Sequence, residues 1–251
     1  MTTLALSLSH LAGRLAKVDP RETLRNDPVA WAYAMREAVS VAGAVSIASH
    51  LDPRAEAEAL GADHGSSAST AALVELLDGS PVLASLAPTS QFVRYVETVV
   101  AACQGRLTVL ATVTAPATVC AALGVPADDG ELDLVGDLIG DALAQLCTAY
   151  LDAGAAGIVL CDHPEGIALV PDQDLRRSWR KPIERVLKFR ESRFVAVDLE
   201  EHAMSALWSL DQGPFADAIA TLASSGQDLV VADVPGGVDP GRLREAVLAC
   251  P

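Results

Sequence analysis

Residues 107–162 read LTVLATVTAPATVCAALGVPADDGELDLVGDLIGDALAQLCTAYLDAGAAGIVLCD, and this stretch decides the fold. It opens on a continuous apolar run, Leu107–Thr114, and closes on a second run, Gly157–Cys161. Between them, a long apolar-periodic segment predicts a helix that ends at about Asp152. Strands that are apolar throughout are covered on both faces, which is typical of parallel sheets. The stretch therefore predicts a strand–helix–strand unit of an α/β protein.

The same alternation continues on both sides of this stretch. Further strands are predicted at Ala44–Ser49, Pro81–Leu86, Phe194–Val197 and Leu229–Ala232, with one more candidate at Ala206–Leu210. Helices are predicted at residues 4–17 and 28–42, and at Pro53–Leu60, Ser69–Leu77, Gln91–Gln104, Pro116–Leu123, Phe215–Ser224 and Pro240–Leu248. This pattern suits either a doubly wound sheet or a barrel that falls short of the eight strands of a closed one. The length of 251 residues favours a single α/β domain over residues 1–251.

The charge balance argues against nucleic acid and anionic membranes as partners. Lys and Arg number 18 against 33 Asp and Glu, and a formal charge of −15 repels polyanions. The basic residues are concentrated, since eight of the 18 lie within residues 176–193: Arg176, Arg177, Arg180, Lys181, Arg185, Lys188, Arg190 and Arg193. A basic helix here suits three roles, which the sequence leaves open: a solvated face, a clamp for an anionic substrate, or a docking surface for an acidic partner or a second copy.

The cysteines indicate free thiols. There are five, an odd number, and no pair has C-x-x-C spacing: Cys103, Cys120, Cys147, Cys161 and Cys250. Buried free thiols are typical of a reducing compartment, so we expect a cytoplasmic protein. The beginning of the sequence lacks the layout of a secretion signal, and no uninterrupted apolar run reaches the roughly 18 residues of a membrane span.

Polar side chains follow several predicted strands, at the positions where α/β proteins place their sites. Asp162 and His163 follow one strand, and Asp198 follows the next. A carboxylate beside an imidazole suits proton transfer. We therefore predict that Asp162, His163 and Asp198 are catalytic groups.

Three further positions are predicted to hold the substrate. His50 and Asp233 follow predicted strands, and Arg36 precedes the first predicted strand, where it would clamp an anion. An alternative is a metal-dependent lyase or hydrolase that uses His50, His163 and His202 with nearby carboxylates. Sequence motifs for dinucleotides, P-loop phosphates, serine hydrolysis and helical zinc sites are absent.

Three segments together resemble the superfamily of uroporphyrinogen decarboxylase and the cobalamin-dependent and cobalamin-independent methyltransferases. They are LTVLATVTAPAT at 107–118, AYLDAGAAGIVLCD at 149–162 and VPGGVDPGRL at 234–243, in the order of the family. The resemblance implies a TIM-type (β/α)8-like barrel, here divergent and shortened, with its site at the carboxyl ends of the strands. The decarboxylase branch implies a cofactor-free reaction on a polycarboxylate. The methyltransferase branch implies a zinc ion held by His-x-Cys and a later Cys.

The sequence departs from both branches. Phe194–Asp198, where the zinc motif is expected, contains neither His nor Cys, so we predict no bound cofactor and keep zinc as the alternative. The arginine-rich substrate motif of the decarboxylases is not visible. We therefore predict a divergent enzyme of this superfamily that performs acid–base chemistry on an anionic small molecule. The alternative is a catalytically silent homologue that serves as a partner-binding or regulatory subunit, and we expect a homodimer or a complex with another protein.

Overall fold

A computed structural model describes residues 3–49, 54–61, 70–79, 82–127, 130–198, 229–234 and 237–249. In this part of the chain, six parallel strands form one sheet in the order β5-β4-β3-β2-β1-β6. They are β1 (Thr3–Ser7), β2 (Ser46–Ala48), β3 (Thr108–Thr114), β4 (Gly157–Asp162), β5 (Arg193–Asp198) and β6 (Leu229–Asp233). The strand predictions within 44–49, 107–114, 157–161, 194–197 and 229–232 are confirmed.

The helices alternate with these strands, as the sequence predicts for an α/β protein. They are α1 (Ser9–Ala16), α2 (Pro20–Asn26), α3 (Pro28–Ala42), α4 (Ala55–Ala59), α5 (Thr70–Asp78), α6 (Thr89–Cys103), α7 (Pro116–Ala122), α8 (Leu132–Asp152), α9 (Pro164–Leu169), α10 (Gln173–Phe189) and α11 (Pro240–Ala249). Local sequence sets their ends. Helix α3, for example, begins at Pro28 because the Asp27 carboxylate accepts a hydrogen bond from Ala30 N, and it ends at Ala42 because Gly43 follows with a left-handed φ of 69°.

Consecutive strands lie side by side from β1 to β5, and the last strand pairs with the first. The pairing joins Leu6 to Ile47 and Asp162 to Asp198, while Ser7 pairs with Asp233 across β1 and β6. A barrel wall is built in this way, strand after strand in chain order. The described residues contain no pairing between β5 and β6, so what the structure shows is an α/β fold with a parallel six-stranded sheet.

The two faces of the sheet differ in composition. Alternate residues of β3 and β4 pack with the helices in one large apolar cluster: Val109, Ala111, Val113, Ile158 and Leu160. The intervening residues form a second surface, called the far face here, and the strand register aligns its members: Ser46, Ala48, Leu110, Thr112, Thr114, Val159 and Cys161. They are buried, but none of them belongs to the helix-side cluster. Most are small or carry a hydroxyl group.

Two predicted elements are wrong in the structure. The helix predicted at residues 4–17 is strand β1 followed by the shorter helix α1, because Thr3–Ser7 pairs with both β2 and β6. The strand predicted at Pro81–Leu86 is instead a single 3₁₀ turn at Leu83–Ser85, with Leu83 fully buried. An apolar run of five or six residues has no periodicity that separates strand from helix, so tertiary partners decide. The predicted elements Ala206–Leu210 and Phe215–Ser224 lie outside the described residues.

Helices α8 and α10 pack closely through two glycines. A Cβ atom on Gly136 would lie 2.2 Å from Trp179 Cε2, and one on Gly140 would lie 2.2 Å from the Trp179 carbonyl oxygen. The Trp179 indole N–H donates a hydrogen bond of 2.8 Å to Asp133 Oδ1. Within the described residues, α8 is the one helix long and apolar enough to cross a membrane. Its packing against α10 identifies it as a core helix of the α/β layer.

Candidate functional site

Strand β3 is longer than its neighbour β2, and side chains complete its hydrogen bonding at the carboxyl edge of the sheet. Beyond Ala48 the strand pairing ends, and the Ser49 hydroxyl oxygen accepts a hydrogen bond of 3.0 Å from Thr112 N. The Glu56 carboxylate accepts from Thr114 N at 3.1 Å and from the Thr114 hydroxyl at 2.7 Å. These contacts satisfy backbone donors that would otherwise be buried without partners. They also place a fully buried carboxylate beside the far face.

The far face carries two buried hydroxyl groups with no hydrogen-bond partner in the described part of the chain. They are Ser46 Oγ on β2 and Thr112 Oγ1 on β3. Both residues are at most 3% exposed. An unsatisfied buried hydroxyl costs about 1–3 kcal/mol, so native proteins keep few of them and often keep them at functional sites.

Cys161 lies on the same face, paired with Thr114 across β3 and β4. Burial raises the pKa of its thiol to about 12, and the carboxylates of Glu56 and Asp162 add to the increase. The thiolate is the nucleophilic and metal-binding form of cysteine. Cys161 is therefore held as a neutral thiol and is a poor nucleophile in this state.

Asp162 follows Cys161 and points to the opposite side, toward the helices. Its Oδ1 accepts a hydrogen bond of 2.9 Å from the Thr118 hydroxyl of α7. Its Oδ2 accepts one of 2.6 Å from Arg180 Nη2, and Arg176 Nε lies 3.3 Å from the same oxygen. All three charged side chains are at most 10% exposed. Asp162 thus ties β4 to α7 and α10 through a buried ion network.

His163 is held by the same network through its backbone. His163 N donates a hydrogen bond of 2.9 Å to the Thr118 hydroxyl oxygen, and the residue precedes the first turn of α9. Its side chain is half-buried. Arg176 extends the network, because its Nη1 donates a hydrogen bond of 2.6 Å to the Val170 carbonyl, just after α9. Asp162 and the backbone of His163 therefore share the Thr118 hydroxyl, and the Asp162 carboxylate is engaged on the helix side.

Two of the remaining predicted site residues lie at strand ends, and one lies on the surface of a helix. The backbone of Asp198 pairs with that of Asp162, and Asp233 pairs with Ser7, so both occupy the carboxyl edge of the sheet. Arg36 is elsewhere, on the exposed surface of α3, with its guanidinium 5.0 Å from the Tyr33 ring centre. His50 and His202 lie outside the described residues. The catalytic and substrate-binding roles of all these residues stay predictions.

The basic segment predicted as one positive helix face is divided in the structure. Arg176 and Arg180 are buried against Asp162, whereas the other basic residues of α10 are exposed: Arg177, Lys181, Arg185 and Lys188. Sequence reasoning did not separate the two groups. It also did not single out Glu56, because AEAEA at 55–59 has the composition of any solvated helix. A carboxylate in a short helix directly after a short strand was the available signal.

The described residues do not fit the zinc ion that the methyltransferase branch implies. In this part of the chain, no three His, Cys, Asp or Glu side chains come close enough together to hold a metal ion. The four described cysteines, Cys103, Cys120, Cys147 and Cys161, are free, as predicted. Burial raises the pKa of Cys120 to about 12, which opposes the thiolate form that zinc requires. Zinc therefore has no part in the chemistry proposed for this site.

Comparison with known proteins gives a similarity to a solved structure. No family model and no curated protein matches the sequence. Among solved structures, the chain is similar to a methyltransferase from Methanosarcina mazei, with a TM-score of 0.73 and 14% sequence identity. The similarity covers 100% of this chain and 92% of that protein. At this identity it shows the fold alone, so the chain has a methyltransferase-like α/β fold. The decarboxylase branch of the predicted resemblance is not represented in this match.

Proposed function

We propose that this protein is a barrel enzyme of the methyltransferase-like superfamily that binds a small molecule on the far face. The site would lie at the carboxyl edge of the sheet, with Thr112 and Ser46 as binding groups and Glu56 as the acid–base group. The strand order favours a barrel, in which the far face becomes the interior. Closure of the wall between β5 and β6 is part of the proposal.

The observation that carries this proposal is the pair of unpartnered hydroxyls, Ser46 Oγ and Thr112 Oγ1, on a face of mostly small side chains. If the far face were only a packed interior, aliphatic side chains at these positions would give a more stable protein than unpartnered hydroxyl groups do. Hydroxyl groups both donate and accept hydrogen bonds, so they suit a ligand with oxygen or nitrogen atoms. Ala48 and Ser46, the described β2 residues on this face, have small side chains.

Glu56 is the group on this side that can exchange a proton with a bound molecule. Its carboxylate is held at two points by Thr114 N and the Thr114 hydroxyl, so its position is fixed before a ligand arrives. In the proposed step, it accepts one proton from the substrate and later returns it. His163, half-buried at the end of β4, is the second group with suitable chemistry.

An anionic substrate has weaker support than the site itself. Arg176 and Arg180 are engaged with Asp162 on the helix side, and Arg36 is on the surface of α3. The silent-homologue alternative also has weaker support, because a disused site is expected to fill with large aliphatic side chains. On the far face, Leu110 is the largest described side chain.

A matched pair of β3 variants tests the proposal. Thr112→Val keeps the side-chain shape and removes the unpartnered hydroxyl, so we expect the ligand-free protein to gain about 1 kcal/mol of stability. For a chain of this size that raises Tm by about 2–4 °C. Thr108→Val, in the same strand and on the same face near its amino end, is the control, and we expect it to leave ligand binding unchanged.

Binding is measured as the rise in Tm of chelator-treated protein with tri- and tetracarboxylates, folates and thiols, each with and without zinc. We expect at least one of these probes to stabilise the wild type and the Thr108→Val variant but not Thr112→Val. Glu56→Gln should bind the same probe yet lose turnover. A probe that stabilises Thr112→Val as well as the wild type would contradict the placement of the site. If no probe stabilises the wild type, the silent-homologue alternative replaces the proposal.

A further inference from the structure

Helices α8 and α10 carry two charged rows with the same spacing and opposite sign. Asp133, Asp137 and Asp141 are exposed on α8 and follow one another at every fourth residue. Such a spacing places side chains along one side of a helix, about 6 Å apart. We call these three residues the acidic row.

The basic row consists of Arg177, Lys181 and Arg185 on α10, which have the same four-residue spacing and are exposed. Arg177 has a weak ion pair with Asp174, at 3.5 Å and with both side chains largely exposed. In the described part of the chain, Lys181 and Arg185 have no ion pair within 4.0 Å. These cations therefore point outward from a chain whose formal charge is −15.

The two rows overlap in height on neighbouring parallel helices. The Trp179 side chain of α10 reaches the start of α8, where its Nε1 donates a hydrogen bond to Asp133 Oδ1. At the other end, Arg190 Nη2 lies 2.5 Å from Asp152 Oδ1. Both helices run in the same direction, and Gly136 and Gly140 of α8 contact Trp179 of α10 from either side along the helix. Asp137 therefore lies near the height of Arg177, and Asp141 near the height of Lys181.

This arrangement is self-complementary under a two-fold rotation. An axis in the contact plane, parallel to the helices and between them, exchanges left and right but preserves height. It would place α8 of one copy against α10 of the other, with Asp137 opposite Arg177 and Asp141 opposite Lys181. The reciprocal contact repeats the two pairs, as an isologous interface requires. We propose that this protein forms a homodimer through the acidic row and the basic row.

Exposed apolar side chains near the two rows would add buried apolar surface to the interface. Leu134 on α8 is 49% exposed, and Phe189 at the end of α10 is 86% exposed. Large exposed apolar side chains near charged rows are common at protein interfaces. A second copy is favoured over nucleic acid as the occupant, because the acidic row lies directly beside the basic row and would repel phosphates.

Within one copy, the three aspartates of the acidic row repel one another. Partial burial, together with the neighbouring Asp133 and Asp141, raises the pKa of Asp137, and Lys181 only partly opposes this. A cation from a second copy would relieve the repulsion among the three aspartates. The repulsion within the acidic row therefore destabilises the isolated chain, and pairing with a second copy would reduce it.

Charge reversal with cross-rescue tests the dimer. One variant carries Arg177→Asp and Lys181→Asp, and the other carries Asp137→Lys and Asp141→Lys. Each should lose self-association by about 100-fold or more, because like charges then face each other. An equimolar mixture should associate again, since both reciprocal contacts regain opposite charges. The mass is measured by sedimentation velocity and light scattering at low salt, and again at about 0.5 M salt, where screening should weaken the wild type.

The control variant carries Arg242→Asp and Arg244→Asp on α11, which changes net charge by the same amount as the first variant but lies against α3. It should remain as dimeric as the wild type. A wild type that is monomeric at about 100 µM and low salt would overturn the proposal. A dimer that both reversal variants retain, a mixture that does not re-form, or a basic row that binds single-stranded RNA instead would overturn it as well. None of these results bears on the far-face site, because that site lies on the other side of the sheet from α8 and α10.

Discussion

The Asp162→Asn substitution isolates the charge of one buried carboxylate. Asparagine has almost the same shape, and its oxygen can still accept the hydrogen bond from Thr118. The amide nitrogen, however, would be directed at Arg180, where two donors meet. Two guanidinium groups, those of Arg176 and Arg180, then lose the carboxylate that lies 3.3 Å and 2.6 Å from them.

The expected loss of stability is large because the network is buried. Asp162 is 1% exposed, and the two arginine side chains are 8% and 10% exposed, so water cannot replace the lost carboxylate. Removing one partner of a buried ion pair costs about 3–5 kcal/mol, since the remaining charge stays uncompensated. At about 2–4 °C per kcal/mol for a chain of this size, we expect Tm to fall by about 6–20 °C.

The assay is thermal and urea unfolding of the variant beside Asp152→Asn. Asp152 also pairs with an arginine, Arg190, at 2.5 Å, but the two side chains are 62% and 37% exposed. Exposed pairs contribute about 0–1 kcal/mol, so the control should unfold close to the wild type. Equal, small effects of the two substitutions would refute the view that Asp162 ties β4 to α7 and α10. That result would also make Asp162 a candidate catalytic group again.

Two further predictions follow from packing and burial. Gly140→Ala should destabilise the protein by about 2 kcal/mol or more in urea unfolding, because the added Cβ atom would lie 2.2 Å from the Trp179 carbonyl oxygen. This clash outweighs the gain in helix propensity, which is about 1 kcal/mol. An unchanged or higher stability would show that α8 and α10 are not in contact there. In native protein at pH 8, iodoacetamide should modify half-buried Cys103 before Cys120 and Cys161. The pKa values of the two buried thiols, about 12, leave about one thiol in ten thousand ionised at this pH. Equal modification rates in peptide mass spectrometry would contradict the burial of these thiols.

The central strand–helix–strand unit could be predicted because its periodicities are long. Helix α8 has 21 residues, and β3 and β4 are continuous apolar runs bounded by turn residues. Strand β1 could not be separated from α1, since an apolar run that continues directly into an amphipathic helix carries no internal boundary. The pairing of β1 with two other strands decides its structure, and such long-range contacts cannot be read from a local pattern.

The basic residues of α10 show the same limit in the site. Arg176 and Arg180 are four residues apart, and so are Arg177 and Lys181. Both pairs consist of basic residues at the same spacing, and what separates them is the direction of Asp162 at the end of β4. The buried Asp162 carboxylate pairs with Arg176 and Arg180, whereas Arg177 and Lys181 remain in solvent. The sequence could therefore predict a basic helix but not which of its cations are available to a ligand or a partner.

Strand parity gives a rule for choosing among the polar residues at a strand end. Successive side chains of a strand point to opposite faces, so Cys161 and Asp162 cannot both face the same site. Register with β3 places Cys161 beside Thr114, on the face that also carries Thr112, while Asp162 meets the helices. The terminal acidic residue of β4 is conspicuous in the sequence because of its charge, yet the face it occupies is set by register with its neighbours. A site prediction for a parallel sheet therefore needs the parity of each strand before the chemistry of its last residue, and parity here favours Thr112, Thr114 and the Glu56 carboxylate that β3 holds.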